Sequence, residues 1–219
     1  MLVELHCHSS HSDGMASVKE IIQKAQKTLG AVAITDHNTQ AGYKEAKTMK
    51  KDVILIPAVE ITCQFGERKG HMLALGIEEF IRGDVFEVID HVKQSGGITI
   101  IAHPFRGLGY SFDQKEIWRK VDAVEVLNGN TLSFKNTRAY LQAKEMKKSM
   151  TSGSDAHWLK FVGKYACQIN ADSVDEILKK IRKGDVTVPI KSTNAFSILF
   201  HGTARKSKLK LKKVMGHKT

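Results

Sequence analysis

The stretch ELHCHSSHSDG, Glu4 to Gly14, carries three histidines and an aspartate before the first segment of helical period. A cluster this dense is either a metal site or an accident, and residues elsewhere in the chain decide which. In an extended segment alternate side chains face opposite ways, so His6 and His8 share a side that Cys7 leaves. Imidazole and carboxylate together form a ligand set suited to zinc, manganese or iron.

Beyond Gly14, SVKEIIQKAQKTLG reads as a helix with Ser17 as its N-cap and Glu20 completing a capping box. Val18, Ile21, Ile22 and Ala25 share one face, and Gly30 ends the helix. The same alternation continues through the strand AVAIT, a helix near 39–50, the strands VILIPAVEIT and HMLALG, and the helix DVFEVIDHVKQSGG. It goes on through ITIIA, a short helix around Trp118, DAVEVL, a long helix near 134–148, MTSGSD, the helix SVDEILKKIRKGD and VTVPI. Alternating strands and helices predict an α/β fold, and the seven or so strands suffice for a barrel.

Against those predicted strands the histidines and acids take regular places. His6 and His8 close the first strand, Asp36 and His37 the second, and Glu60 the third. His71 opens HMLALG, His103 follows ITIIA, and Asp155 and His157 follow MTSG. Any one of these alone is an ordinary polar residue at a strand end. In a parallel barrel, however, the carboxyl ends of the strands gather at one rim, so residues far apart in sequence converge there.

Composition narrows the class further. With 219 residues, 42% hydrophobic and 26% charged, the chain is expected to form one globular domain. It has no run of about 18 apolar residues that would span a membrane. No secretory leader is visible, which places the protein in the cytoplasm as an expectation. Three cysteines at unrelated spacings, Cys7, Cys63 and Cys167, argue for reduced thiols rather than a disulfide framework. Of the net charge of +11, only +3 belongs to residues 1–185, because no acid follows Asp185. The rest sits in a lysine-rich tail ending in KLKLKKVMGHKT, a candidate contact for nucleic acid.

The segments HCHSSHSDG, TDHN, VEIT, the following GH, AHP and SDAH, in this order, resemble the motifs of the PHP (polymerase and histidinol phosphatase) superfamily of metal-dependent phosphoesterases. The resemblance covers about residues 3–188. It implies a distorted (β/α)7 barrel over residues 1–191, with a PHP-associated stretch at about 150–191, followed by the basic tail 192–219. It also implies two or three divalent ions at the carboxyl rim. By matching position, His6, His8, Glu60 and Asp155 would hold one ion. Asp13, His37 and His157 would hold a second, and His71 and His103 a third, with Glu60 bridging. Some relatives carry histidine at the position of Asp13, so the second site here is richer in oxygen and favours manganese or iron over zinc. Asp36 is expected to orient a metal-binding histidine from behind.

The implied chemistry is hydrolysis of a phosphomonoester, or of a nucleotide or oligonucleotide end, by a metal-bound hydroxide, with Asp155, His157 and Arg106 as the catalytic group. Arg106, just after AHPF, is the first choice for binding phosphate through two parallel hydrogen bonds. Lys69 is a weaker choice, as are Arg68 and Lys160, and His11 either lines the pocket or is simply exposed. Only 31 residues separate His71 from His103, too few for the long covering insertion of some nucleotide-hydrolysing relatives. An open cleft and a basic tail suit a nuclease-type protein as an alternative, and a non-catalytic, metal-stabilised binding protein is a third reading. The oligomeric state is not legible in the sequence.

Overall fold

Strand β1 (Leu2–Cys7) runs into the histidine-rich loop, and α1 (Val18–Thr28) turns the chain back beside it. Helix α1 starts where its side chains dictate. The Ser17 hydroxyl accepts from the Glu20 amide, and the Glu20 carboxylate accepts from the Ser17 amide. Its face of Val18, Ile21, Ile22 and Ala25 is buried. The next strand, β2 (Ala31–Ile34), therefore lies parallel to β1. After α2 (Ala41–Lys47), β3 (Ile54–Ile56) pairs parallel to β2. The computed structural model describes residues 1–107 and 109–193, so the expected tail, apart from Ser192 and Thr193, lies outside the described residues.

VILIPAVEIT is not one strand. Pro57, which has no amide hydrogen to give to a ladder, separates β3 from β4 (Ala58–Phe65). Strand β4 leaves the first sheet and pairs antiparallel with β5 (Arg68–Leu75) around a turn at Gly66 and Glu67. Gly66 takes a φ of 58°, which glycine adopts without cost. Strand β5 is also antiparallel to β6 (Ile98–Ile101), which follows α3 (Val85–Gln94). Parallel order resumes through α4 (Lys115–Lys120), β7 (Ala123–Asn128), α5 (Ser133–Glu145) and β8 (Ser149–Gly153).

The strand-helix alternation of a parallel barrel is therefore interrupted at the β4–β5 hairpin. As a result, Glu60 and His71 sit inside strands rather than at strand ends. Short β9 (Cys167–Gln168) pairs antiparallel with β1, and α6 (Val174–Lys183) follows. The expected strand VTVPI is reduced to an isolated bridge between Gln168 and Thr187.

Two sheets result, ordered β3-β2-β1-β9 and β4-β5-β6-β7-β8. Isolated bridges link them at both margins, Cys7 to Ala156 and His37 to Glu60. One buried apolar cluster, with Val3, Leu5, Ile56, Leu73, Ile98 and Ile100, joins the two sheets, and outer clusters seat the helices. Among the described residues no helix is long and apolar enough to cross a membrane. All three cysteines are free and buried.

Candidate metal centre

Glu60 lies at the middle of the histidine cluster and is fully buried. Its Oε2 is 3.3 Å from His6 Nε2, 3.3 Å from His8 Nε2 and 3.1 Å from His37 Nδ1. Its Oε1 is 2.9 Å from His71 Nδ1 and 3.1 Å from His103 Nε2. The Asp155 Oδ1 atom lies 3.3 Å from His8 Nε2 and 3.7 Å from His6 Nε2. On the outer side, Asp13 places Oδ1 3.2 Å from His157 Nε2 and Oδ2 3.6 Å from His37 Nε2. All nine side chains named as ligands from the sequence meet in one cluster.

Four groups within it bring their donor atoms within 4.8 Å of one another: His8, Asp13, His37 and His157; His6, His103 and Asp155; His6, His8 and Glu60; His37, Glu60 and His71. This grouping departs from the expected partition, since His8 also faces Asp13, His103 joins Asp155, and His37 faces Glu60 with His71. The donor atoms fit cations. His6 Nε2, both ring nitrogens of His8, Glu60 Oε2 and His103 Nδ1 are buried and make no hydrogen bond. Each such atom costs about 1–3 kcal/mol unless a partner is supplied. A divalent ion supplies one to several of them at once, and nitrogen with carboxylate oxygen is its natural donor set.

Protonation supports the same reading. Burial pushes the Glu60 carboxyl up, but His37, His71, His6 and His103 together hold it well below the usual carboxylate range. Asp13 is likewise held low, burial being outweighed by His157, His8 and His37. Burial lowers His8 and His103 to about 3, so both rings are neutral near pH 7. For His6 burial is overcome by Glu125 and Glu60, which raise it to about 10. Ionised carboxylates and neutral imidazoles, here Glu60 and Asp13 with His8 and His103, are the protonation states a metal requires.

A second layer of residues holds this layer still. His6 Nδ1 is 2.9 Å from Glu125 Oε1, which turns Nε2 toward the cluster. The other Glu125 oxygen accepts from the His103 amide and from Asn128 Nδ2, both at 2.9 Å. Asn128 Nδ2 also reaches Asp155 Oδ2 at 3.2 Å. A side chain at Gly153 would put its Cβ 2.5 Å from both Glu125 Oε1 and His6 Cβ, so only glycine leaves room for this pair. The backbone is bent to the same end: His103 has φ 33° and Asp155 φ 46°, a left-handed conformation costing roughly 1–3 kcal/mol each.

Glu125 and Asn128 escape a reading of the sequence. Their only signal is one acid and one amide in AVEVLN, a strand buried along its whole length. Asp36 behaves differently from its expected role. Its oxygens accept from the Ser9 amide at 2.8 Å and from the Ser9 and Ser12 hydroxyls at 2.6 Å each. It thus pins the loop that delivers Asp13, and Glu125 is the carboxylate that orients a cluster histidine.

His11 turns away to Glu45 on α2, with Nε2 2.5 Å from Oε2, and is partly exposed. Arg106 pairs with Asp155 and donates to Asn128 Oδ1 at 3.1 Å, which sets its guanidinium at the edge of the cluster. Arg68 pairs with Asp113 at 3.4 Å, Lys160 lies over the Phe161 ring, and Lys69 is exposed on β5. Cys7 takes no part, its thiol donating to the Ala33 carbonyl at 3.3 Å.

Comparison with known proteins places this arrangement. An uncharacterised protein of Methanocaldococcus jannaschii is 30% identical over 193 residues, covering 82% of this chain and 76% of its own length. A crystal structure of a two-domain Bacteroides vulgatus protein containing a "predicted PHP-like metal-dependent phosphoesterase" has a TM-score of 0.69. It covers 92% of this chain and 68% of that one at 15% identity. Residues 134–186, from α5 through α6, match the PHP-associated family model. The chain belongs to the PHP superfamily of metal-dependent phosphoesterases. A 5'-3' exoribonuclease of Haemophilus influenzae is 37% identical over 79 residues, covering 35% of this chain and 29% of the relative. The His, Asp and Glu cluster offers the donor groups that hold a divalent metal ion.

Proposed function

We propose that this PHP protein hydrolyses a phosphomonoester, or a nucleotide or oligonucleotide end, at a centre of two or three divalent ions. The nine clustered side chains would hold the ions, within a distorted barrel formed by the two bridged sheets. The observation that carries the reading is Glu60, a buried carboxylate with five imidazole nitrogens within 3.3 Å of its two oxygens. Manganese or iron suits the oxygen that Asp13 contributes, and zinc is the alternative.

Divalent ions bound there supply Lewis acidity and a water of lowered pKa, which in-line attack on phosphorus requires. The protein's own groups do the rest. Glu60, Asp155 and Asp13 provide the negative charge that offsets the cations, and Glu125 fixes the ring of His6. Arg106 presents a guanidinium beside Asp155, where it can donate to an oxygen of the phosphoryl group and stabilise charge gathering there. One P–O ester bond breaks, one P–O bond to the water oxygen forms, and the leaving alkoxide takes a proton from the water.

The test is hydrolysis of 4-nitrophenyl phosphate by metal-replete protein. Asp155→Ala and His6→Ala should each abolish turnover with an unchanged circular dichroism spectrum. Turnover that survives both substitutions would refute the reading. A nuclease-type activity is favoured by the eight basic residues after Asp185. It predicts affinity for single-stranded oligonucleotides that falls steeply with salt and is lost on truncation after Thr193.

A further inference from the structure

Beside the cluster runs a groove of about 420 Å³, walled by Asn38, Thr62, Gln64, Lys69, Arg82 and Tyr110. It adjoins the candidate metal centre through neighbours of His37 and His71. Asn38 follows His37, Thr62 stands opposite His71 across the β4–β5 ladder, and the Tyr110 ring lies 5.0 Å from the His71 ring at 35°. Asn38 and Thr62 are locked together, Asn38 Nδ2 donating to Thr62 Oγ1 at 3.0 Å and the Thr62 amide to Asn38 Oδ1 at 2.9 Å. They make a firm wall.

Two features of this groove bear on what it binds. Among the described residues no carboxylate lines it, whereas the neighbouring cavity, which shares Lys69 and Tyr110 with it, contains Glu67 and Asp113. Its two cations are also uncommitted: among the described residues, neither the Lys69 nor the Arg82 side chain has an ion-pair or hydrogen-bond partner. Arg68 and Arg106, by contrast, are both paired with aspartates. Such a groove favours an anion.

Tyr110 is 44% exposed, yet its ring is held in place. What holds it is clear. A backbone bridge ties it to Lys69, and Phe112, two residues on, is fully buried against Gly70 of β5. A Cβ at Gly70 would lie 2.5 Å from the Phe112 ring, so the glycine is what lets this loop lie flat on the strand. Exposed, flat and anchored, Tyr110 offers one face for a planar ring to stack on.

We propose that this groove is a specificity site in which Tyr110 stacks on a nucleobase while Lys69 and Arg82 bind a phosphate other than the one cleaved. The substrate class is thus a nucleotide bearing a second phosphate, either the end of a short single strand or a free nucleoside bisphosphate. This inference rests on the phosphoesterase reading for its chemistry and on the groove for its specificity.

The test compares 4-nitrophenyl phosphate, adenosine 5'-monophosphate, adenosine 3',5'-bisphosphate and a 5'-phosphorylated dinucleotide, using metal-replete full-length protein. Both kcat/KM and the Kd from calorimetry are recorded. The wild type should prefer the two doubly phosphorylated compounds, and whichever of them is better names the source. Tyr110→Ala and the double variant Lys69→Ala/Arg82→Ala should each cut that preference by about tenfold or more, mainly through KM and Kd. Tyr110→Phe should restore it, and the surface control Lys115→Ala should leave it unchanged.

Equal treatment of the mono- and diphosphorylated compounds by the wild type would overturn the proposal. So would variants that lower turnover of all four alike. If no ester is cleaved but the bisphosphate still binds, and binds more weakly to the variants, the groove stands and the phosphoesterase reading falls.

Discussion

Glu4 and Glu60 are both glutamates in strand interiors with no exposed surface, yet their surroundings are opposite. Glu4 is saturated by the protein itself: it accepts from the amides of His6, Ser154 and Gly163 at 3.1, 3.0 and 2.7 Å, and from the Ser154 hydroxyl. Even so, burial outweighs those hydrogen bonds and raises its pKa. Glu60 is ringed by imidazoles, keeps one oxygen without a hydrogen bond, and is held ionised. A buried carboxylate that neighbouring amides satisfy ties strands together. One left to imidazoles is kept for a cation.

Removing each carboxylate in turn breaks the comparison if it is wrong. Glu60→Gln should lower kcat/KM about 1,000-fold or more and reduce the bound metal, while the protein stays folded. Activity assays with metal analysis check this. Glu4→Ala should do the reverse, destabilising the fold by roughly 3–5 kcal/mol in urea titrations because several buried donors lose their acceptor. The protein that remains folded should still bind metal. A Glu4 variant that folds well but loses metal would erase the distinction.

Glu125 stands between the two cases, bonded both to backbone and to a cluster histidine. Glu125→Gln should weaken metal binding by about 10–100-fold, as for other carboxylates that orient a ligand, and the loss should shrink when metal is in excess.

The pH dependence is seen best in protein stripped of metal. His8 and His103 are lowered to about 3 in the folded state. Their contribution to stability is complete above pH 6.5 and is lost as the pH falls toward 3, because only the unfolded chain takes up the protons. The slope is up to about 1.4 kcal/mol per pH unit for each. His6, raised to about 10, acts in the opposite direction, its contribution present below pH 6.5 and lost as the pH rises to 10. Urea midpoints of the stripped protein should therefore peak near pH 6.5.

The members of the cluster were legible in the sequence because histidine and acid directly after apolar, β-branched runs form an uncommon pattern, repeated at several predicted strand ends. The supporting residues were not. Glu4 sits within the very stretch that drew attention to the histidines, but its role depends on Ser154 and Gly163, some 150 residues away. Glu125 looks in sequence like any acid on a strand, and only burial on every side shows that it must be bonded. The β4–β5 hairpin was hidden for a different reason. Arg68, Lys69 and Gly70 begin β5 without apolar character, so the pattern started the strand at His71 and left its direction undetermined. That hairpin is also what brings Glu60 and His71 from strand interiors to the rim, and what carries Lys69 to the side of Tyr110.

The central claim is that the cluster around Glu60 is a catalytic metal centre. The most direct measurement titrates manganese into chelator-treated protein while following both bound metal and 4-nitrophenyl phosphate hydrolysis. The rate should start near zero and reach its plateau at about two or three equivalents per chain. Full activity in the chelated protein, or ions that bind without any hydrolysis appearing, would contradict it.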